Sequence, residues 1–512
     1  MSDWTAGYVA DLAYTYGYYP ELNPLRAQLP LLYAGLRPPE VANACELGFG
    51  QGMSVNIHAA ASNVHWWGND FNPEQAAFAR DMAAASGSGA QLGDESFAEF
   101  CTRTDLPDFD FIALHGIWSW VSDDNRALII DFVRRKLRVG GLLYVSYNTQ
   151  PGWSALMPLR HLLTQHAAVM SPPGQAITGK IDAAIGFAQK LLDLQPGYVR
   201  SNPGVVDRFA KIAAMPRNYL AHEYFNRDWD PMPFADMAAW LEPAKLTFAA
   251  AGGYIDHVDA ANMNDAQAAF LKEIPDANLR ETVRDYVMNQ TFRRDLWVKG
   301  PRKLSPLHKA EALQRVRVML IIPADSFTYK LKTNIGEVDL NASIYKPLLE
   351  LLADHQPHDI GQLVQATAKQ KVNAQHVYQA IMVMMSRSDL AVVQPDDAQP
   401  AARKRCDKLN QWIIDRARSG GDLNYLASPV TGGAVFVPRF QQLFIAFRSS
   451  GVKTAPDLVN AVWQLMAGQG QRIAKEGRRL ETEEENRAEL LGMADEFLTK
   501  QIPILKALKV IA

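Results

Sequence analysis

The stretch Val41–Asp70, VANACELGFGQGMSVNIHAAASNVHWWGND, constrains the fold of this 512-residue chain more than any other. An apolar segment ending at Leu47 reads as a buried strand. Gly48, Gly50 and Gly52 then mark a turn, a helix runs from about Gly52 to Ala61, and Val64–Asp70 reads as a second strand ending in an acid. Glycines here let backbone amides and a helix N-terminus come close to a ligand. Asp70 follows the turn by about 20 residues, where a nucleotide-binding βαβ unit places the acid that accepts from ribose hydroxyls. The spacing separates the candidate ligands. A dinucleotide fingerprint starting at Gly48 needs glycine where Met53 stands, and no Gly-Lys-Ser/Thr follows to make a P-loop.

The βα alternation continues. Asn72 and Pro73 open a helix with an N-cap and a proline at the first helical position. A short strand near Gln91-Leu92 ends at Asp94, and Ser96 with Glu99 forms a capping box. Phe109–Leu114 is a fourth strand. Ser122 caps a helix through Arg138 that Gly140-Gly141 would end, and Leu142–Tyr147 is a fifth strand. Such alternation predicts an α/β fold with a doubly wound, Rossmann-like sheet.

Outside that sheet the pattern changes. Residues 1–40 form an N-terminal arm rich in tyrosine (Tyr14, Tyr16, Tyr18, Tyr19), which Pro20, Pro24 and Pro30 keep from forming a long helix. The core is expected over 41–150 and again over 232–260, where Phe234–Leu241 reads as a helix and Leu246–Ala251 as a strand. Between them, 151–231 reads as a helical insertion serving substrate or dimerisation, with helical runs at Gln175–Leu194 and Gly204–Phe225. A middle region, 261–330, carries helices from Asp265 to Asn289 and then a basic cluster: Arg293, Arg294, Lys299, Arg302 and Lys303, interleaved with Phe292 and Trp297. Residues 331–512 form a winged-helix-like and helical region. Gln394–Lys404 is read as a linker and Lys475–Glu489 as a solvated helix face.

Composition narrows the function class. A hydrophobic share of 48%, a charged share of 21% and a formal net charge of −3 describe an ordinary globular chain with no global pull toward nucleic acid or anionic membrane. The third helix of the winged-helix-like stretch, Asn373–Ser386, carries only Arg387 at its end, too little charge to read a groove. No apolar run reaches membrane-spanning length and no export signal is visible. Cys45, Cys101 and Cys406 lie far apart, so neither a disulfide framework nor a zinc site is expected, and a cytoplasmic location is. His222-Glu223 lacks the second histidine of a zincin motif, and no metal is expected.

The pattern Glu46-x-Gly48-x-Gly50-x-Gly52 resembles motif I of class I S-adenosylmethionine (AdoMet) methyltransferases. Further segments narrow the resemblance: Phe109–Val121 (FDFIALHGIWSWV), Tyr144–Trp153 (YVSYNTQPGW), Pro216–Tyr224 (PRNYLAHEY) and Phe292–Asp295 (FRRD). They look like bacterial AdoMet methyltransferases that carry a methyltransferase regulatory domain, a family that includes outer-membrane-protein lysine methyltransferases. The arm departs from the family pattern at Asn23-Pro24, where a His-Pro pair is usual.

The resemblance implies AdoMet as cofactor, held by Glu46, Gly48, Gly50, Gly52, Asp70, Asp94, His115 and Tyr18. Asp70 would meet the ribose and Asp94 the adenine amino group. Tyr147, His115 and Asn148, at the ends of strands five and four, are the candidates for chemistry: Tyr147 to align the acceptor nitrogen, His115 as a base or a wall. Trp118, Trp120, Trp153 and Arg293 are candidates for acceptor contact. The implied partners are a protein substrate, such as a surface protein before export, and a second copy of the chain, with no nucleic acid and no membrane. The leading expectation is methyl transfer to protein lysine. Transfer to a small molecule or surface-glycan precursor, and a non-catalytic AdoMet-binding scaffold, stand as alternatives.

Overall fold

The computed structural model describes residues 7, 8, 15–172 and 174–512. Its centre is a seven-stranded sheet of β1 (Asn43–Leu47), β2 (His65–Asn69), β3 (Gln91–Gly93), β4 (Phe109–Leu114), β5 (Leu137–Asn148), β6 (Leu246–Ala251) and β7 (Phe292–Lys299). They stand in the order β3-β2-β1-β4-β5-β7-β6. The pairs among β1 to β5 are parallel, and β7 is antiparallel to both its neighbours. β1 and β4 are mostly apolar and buried on both faces, with Glu46 and Asp110 as the charged side chains among them.

Side chains alternate across the sheet and build two cores. Leu143, Val145 and Tyr147 of β5 join Phe109, Ile112 and Trp297 on one face. Leu142 and Tyr144 join Trp66, Phe111 and Leu296 on the other. The layers over these faces come from α1 (Gln28–Tyr33), α2 (Met53–Ala61), α3 (Pro73–Ser86), α4 (Phe97–Thr102) and α5 (Asp123–Lys136). Asn72 caps α3 by accepting from the Glu74 and Gln75 amides, and the Ser96–Glu99 capping box starts α4. α5 ends at Lys136, short of Gly140-Gly141. Those glycines lie inside β5, whose backbone pairing overrides their usual role as helix stops.

The helical insertion holds α6 (Met157–Met170), α7 (Ile177–Asp193), α8 (Gly197–Ser201), α9 (Val205–Ala213) and α10 (Arg217–Tyr224) around its own core of Leu163, Ile181 and Phe209. α11 (Phe234–Leu241) returns the chain to the sheet. One boundary needs correction: the basic cluster assigned to the middle region supplies β7, inserted between β5 and β6. Arg293 and Asp295 are both buried on that strand, so a charge-rich stretch hides a strand from hydrophobic patterning.

Downstream, a three-stranded sheet of His358–Asp359, Arg317–Leu320 and Leu390–Val392 packs with the helices Ala342–Leu352, Ile360–Thr367 and Ala374–Ser386, the winged-helix-like order. The expected linker is largely helical: Gln399–Arg416 is a single helix whose Cys406, Leu409 and Ile413 pack with Met53, Ile57 and Met82 of α2 and α3. The charged run near Lys475 begins as a short hairpin, Ala474–Lys475 with Arg478–Arg479, before a helix from Glu483 to Glu496.

Candidate functional site

The C-terminal ends of β1, β2, β4 and β5 open onto a cavity of about 690 Å³, where open α/β sheets bind ligands. The glycine turn forms its floor. Gly48, Gly50 and Gly52 all have positive φ. Their tasks differ. A Cβ on Gly48 would lie 2.4 Å from Ile117 Cδ1, and one on Gly52 would lie 2.5 Å from Ala79 Cβ. Gly52 therefore sets the packing of α2 on α3 and does not line the cavity, whereas Gly48, Phe49, Gly50 and Gln51 do.

Asp70 closes the turn. Its Oδ2 accepts from the Gly50 amide at 2.8 Å and its Oδ1 from the Asn72 amide at 3.0 Å. Burial pushes its carboxyl up to about 6, opposed by those two amides. Glu46, buried below the turn, is raised further, to about 8, by burial and then by the charge of Asp70. Glu46 Oε2 has no hydrogen-bond partner. An orphaned buried carboxyl oxygen beside a second carboxylate is a receptor for hydroxyl or ammonium donors. AdoMet carries both, together with a sulfonium cation, so the donor set fits it.

Several expected residues stand elsewhere. Asp94 is half exposed and paired with Arg80. The cavity wall after β3 is made instead by Ser96, Phe97 and Ala98. The Tyr18 hydroxyl accepts from the Ala434 amide at 3.0 Å and lies 3.2 Å from His58 Nε2, on the side of the arm away from the cavity. Its neighbour Tyr19 takes the cavity position, with its ring 4.0 Å from that of His115. Tyr14 lies outside the described residues. Trp118 is buried in the sheet core, its Nε1 donating to Met232 Sδ at 3.2 Å.

Tyr147 is the largest revision. It shares a face with Leu143 and Val145, and its hydroxyl donates to Asp295 Oδ2 at 2.7 Å, within the sheet. Arg293 is spent in the same place, on Asp295, Asp285 and Glu281. Alternation along β5 and β7 turns these groups away from the cavity. Arg294, by contrast, faces Glu21 of the arm at 3.4 Å.

His115 and Asn148 do line the cavity. His115 Nδ1 is 2.9 Å from the Tyr144 hydroxyl, and burial lowers its pKa to about 4. It is an uncharged wall on which Tyr19 stacks. The backbone of Asn148 is fixed by Ser119 Oγ and the Met232 amide.

The far half of the cavity joins Trp120 and Trp153, expected as acceptor contacts, to residues that the sequence did not assign to a site. Tyr219, Glu223 and Tyr224 reach it from α10, the first two spaced one helical turn apart. Trp120, Trp153, Phe292, Asp228 and Tyr8 complete it. Tyr8 lies between Phe71 of the core and His222 of the insertion, with ring centroids at 5.7 and 5.5 Å. The available signal was the i, i+4 pair Tyr219/Glu223 in the PRNYLAHEY segment.

The comparisons agree with this geometry. A family model described as "Predicted methyltransferase regulatory domain" matches residues 216–299, from the start of α10 through β7. The uncharacterized protein sll1526 of Synechocystis sp. is 36% identical over 510 residues, covering 99% of each chain. RP789 of Rickettsia prowazekii is 25% identical over 336 residues, covering 63% of this chain and 57% of its own. The structure of PKMT2 from Rickettsia typhi in complex with AdoHcy has the same fold, with TM-score 0.66 and 16% identity, covering 96% of this chain and 98% of that one. With the sheet order, the glycine turn and a near-full-length relative in hand, the chain belongs to one family with sll1526, and it carries the predicted methyltransferase regulatory domain on a class I methyltransferase fold.

Proposed function

We propose that this chain transfers a methyl group from AdoMet to an amine nitrogen, with the lysine side chain of a protein as the acceptor. One observation carries the reading: the cavity has two chemically distinct halves. The glycine turn, Glu46 and Asp70 suit the cofactor. The half built by Tyr8, Trp120, Trp153 and Tyr219 with Glu223 and Asp228 suits a cationic amine that must become neutral. Aromatic faces attract ammonium and methylated ammonium groups, and Glu223 adds charge complementarity, whereas Asp228 already pairs with Arg227.

AdoMet supplies an activated methyl group on a sulfonium, and the protein's tasks are alignment and desolvation. Holding the reacting atoms in line is worth roughly 7–11 kcal/mol. A lysine with an ordinary pKa near 10.4 gives up roughly 4–5 kcal/mol to present its neutral form at pH 7. An aromatic wall that strips water from the ammonium offsets part of that cost. Tyr19, His115 and Asn148 also line the cavity. A location in the cytoplasm, where AdoMet is made, accompanies the reading, and no described helix is long and apolar enough to cross a membrane.

A small-molecule amine, including a glycan precursor, is the second reading. The Tyr8 ring between Phe71 and His222 favours it, because an aromatic group there suits a compact acceptor. The deciding experiment incubates the protein with methyl-labelled AdoMet and fractionated extract. Label recovered as methyl-lysine after acid hydrolysis of protein supports the first reading. Label confined to small molecules overturns it in favour of the second, and tight binding without transfer points to a scaffold.

A further inference from the structure

A second pocket, of about 380 Å³, lies on the opposite side of the arm, where the arm meets the three-stranded sheet and the hairpin formed by Tyr425–Ser428 and Gly433–Phe436. Its walls are mostly apolar, with Ile322, Leu390, Tyr425 and Phe436 among them, and its volume falls in the lower part of the small-ligand range. Arg26 stands in this wall. Its guanidinium lies over the Tyr254 ring, 4.7 Å from the centroid, and the Tyr254 hydroxyl donates to the Arg26 carbonyl at 2.9 Å. Glu21 of the nearby arm pairs with Arg294 at 3.4 Å and also feels the charge of Arg26, without accepting a hydrogen bond from it. Among the described residues no carboxylate or carbonyl takes the guanidinium's donors. The hydroxyl of Thr431, also in the wall, is buried without a partner. A positioned arginine with unspent donors in an apolar pocket is a receptor for an anion, because the planar fork matches a carboxylate and leaves the apolar walls for the ligand's body.

We propose that the pocket beside Arg26 binds a small carboxylate with an aromatic or branched apolar body, and that its occupancy is coupled to the AdoMet cavity through Tyr18 and Tyr19. The two tyrosines are consecutive, and Tyr19 is extended (φ −114°, ψ 101°), so their side chains serve opposite sides of the arm. Tyr18 belongs to the wall of the Arg26 pocket. Tyr19 lies on His115 in the AdoMet cavity, and its amide donates to Ser54 Oγ at 2.9 Å, in the first turn of α2 behind the glycine turn. A ligand that fixes Tyr18 therefore also restrains the wall and the helix that shape the AdoMet site. Coupling of this kind is reciprocal: each ligand changes the other's affinity by the same factor.

The test uses the full chain with three carboxylate probes, phenylacetate, 3-phenylpropionate and 4-methylpentanoate, and the neutral control phenylacetamide. Crystals are soaked in the presence of saturating AdoMet, so that the main cavity is filled, and affinities are measured by calorimetry. At least one carboxylate should lie on the Arg26 guanidinium, bind at least tenfold more tightly than the amide, and weaken at least tenfold in Arg26→Gln. It should also shift the AdoMet dissociation constant at least threefold, with the same factor seen in the reverse titration. Arg26→Lys, which keeps the charge but loses the fork, is the second variant should Arg26→Gln melt early. An empty pocket in every soak, equal binding of amide and carboxylate, or affinity unchanged in both variants overturns the site. Binding with no reciprocal shift overturns the coupling.

Discussion

The Gly50 amide donates to Asp70 Oδ2 at 2.8 Å, tying the tightest point of the glycine turn to the acid that ends β2. Asp70 thus has two tasks: it holds the turn, and its remaining lone pairs face the cavity. Asp70→Ala should weaken AdoMet binding by about 1–3 kcal/mol. Asp70→Asn, which keeps one oxygen to accept from Gly50, should lose less. Calorimetric titration of both variants checks the order, and equal losses would show that the turn contact contributes nothing.

Glu46 predicts a pH dependence. Burial and Asp70 raise its carboxyl from 4.5 to about 8, so the folded state favours its protonated form. The sign follows from linkage: the stabilising contribution is complete below about pH 4.5 and is lost as pH rises through 8. At about 1.36 kcal/mol per pKa unit the loss is at most about 5 kcal/mol. Glu46→Gln, neutral throughout, should flatten the fall in melting temperature between pH 5 and 8.5. Donors from bound AdoMet pull the carboxyl back down, so wild-type affinity should rise over the same window with release of a proton. Buffers of differing ionisation enthalpy detect that release.

What the sequence revealed followed from periodicity. Glu46, the glycines and Asp70 are local to one βαβ unit, and its spacing together with the family resemblance points to them. Asn148 and His115 followed because they end strands whose apolar runs are unambiguous. The rest failed for identifiable reasons. Tyr147 and Tyr18 were one residue from positions that line the cavity, and in extended backbone one residue reverses the face. β7 was missed because Arg293 and Asp295 are buried as mutual partners, so charge concealed a central strand. The acceptor half draws on the N-terminus, α10 and the segment after β4, and no local pattern encodes that meeting.

The Tyr147 contact separates a structural role from a chemical one. Its hydroxyl donates to Asp295, which also pairs with Arg293 inside the sheet. Tyr147→Phe leaves that buried acceptor one donor short, a loss of about 1.5–3 kcal/mol for a bond to a charged group. Thermal unfolding should show a lower melting temperature, while methyl transfer per folded molecule stays within about twofold. A large fall in turnover at unchanged stability would return Tyr147 to the reaction.

Glu223 tests the acceptor half. It sits one helical turn after Tyr219 on α10, and its carbonyl accepts from Trp120 Nε1 at 3.5 Å, which sets it beside an aromatic wall. Its negative charge favours an incoming ammonium, and Asp228 lies in the same lining. Glu223→Gln keeps the shape and removes the charge. For an amine acceptor the KM should rise by about tenfold, the equivalent of about 1.4 kcal/mol, with AdoMet affinity unchanged because the glycine turn is untouched. For an uncharged acceptor, such as a hydroxyl of a glycan precursor, the same substitution should leave KM where it was. Steady-state kinetics with free lysine, a lysine peptide and a hydroxyl acceptor therefore read the charge class of the substrate directly from one variant.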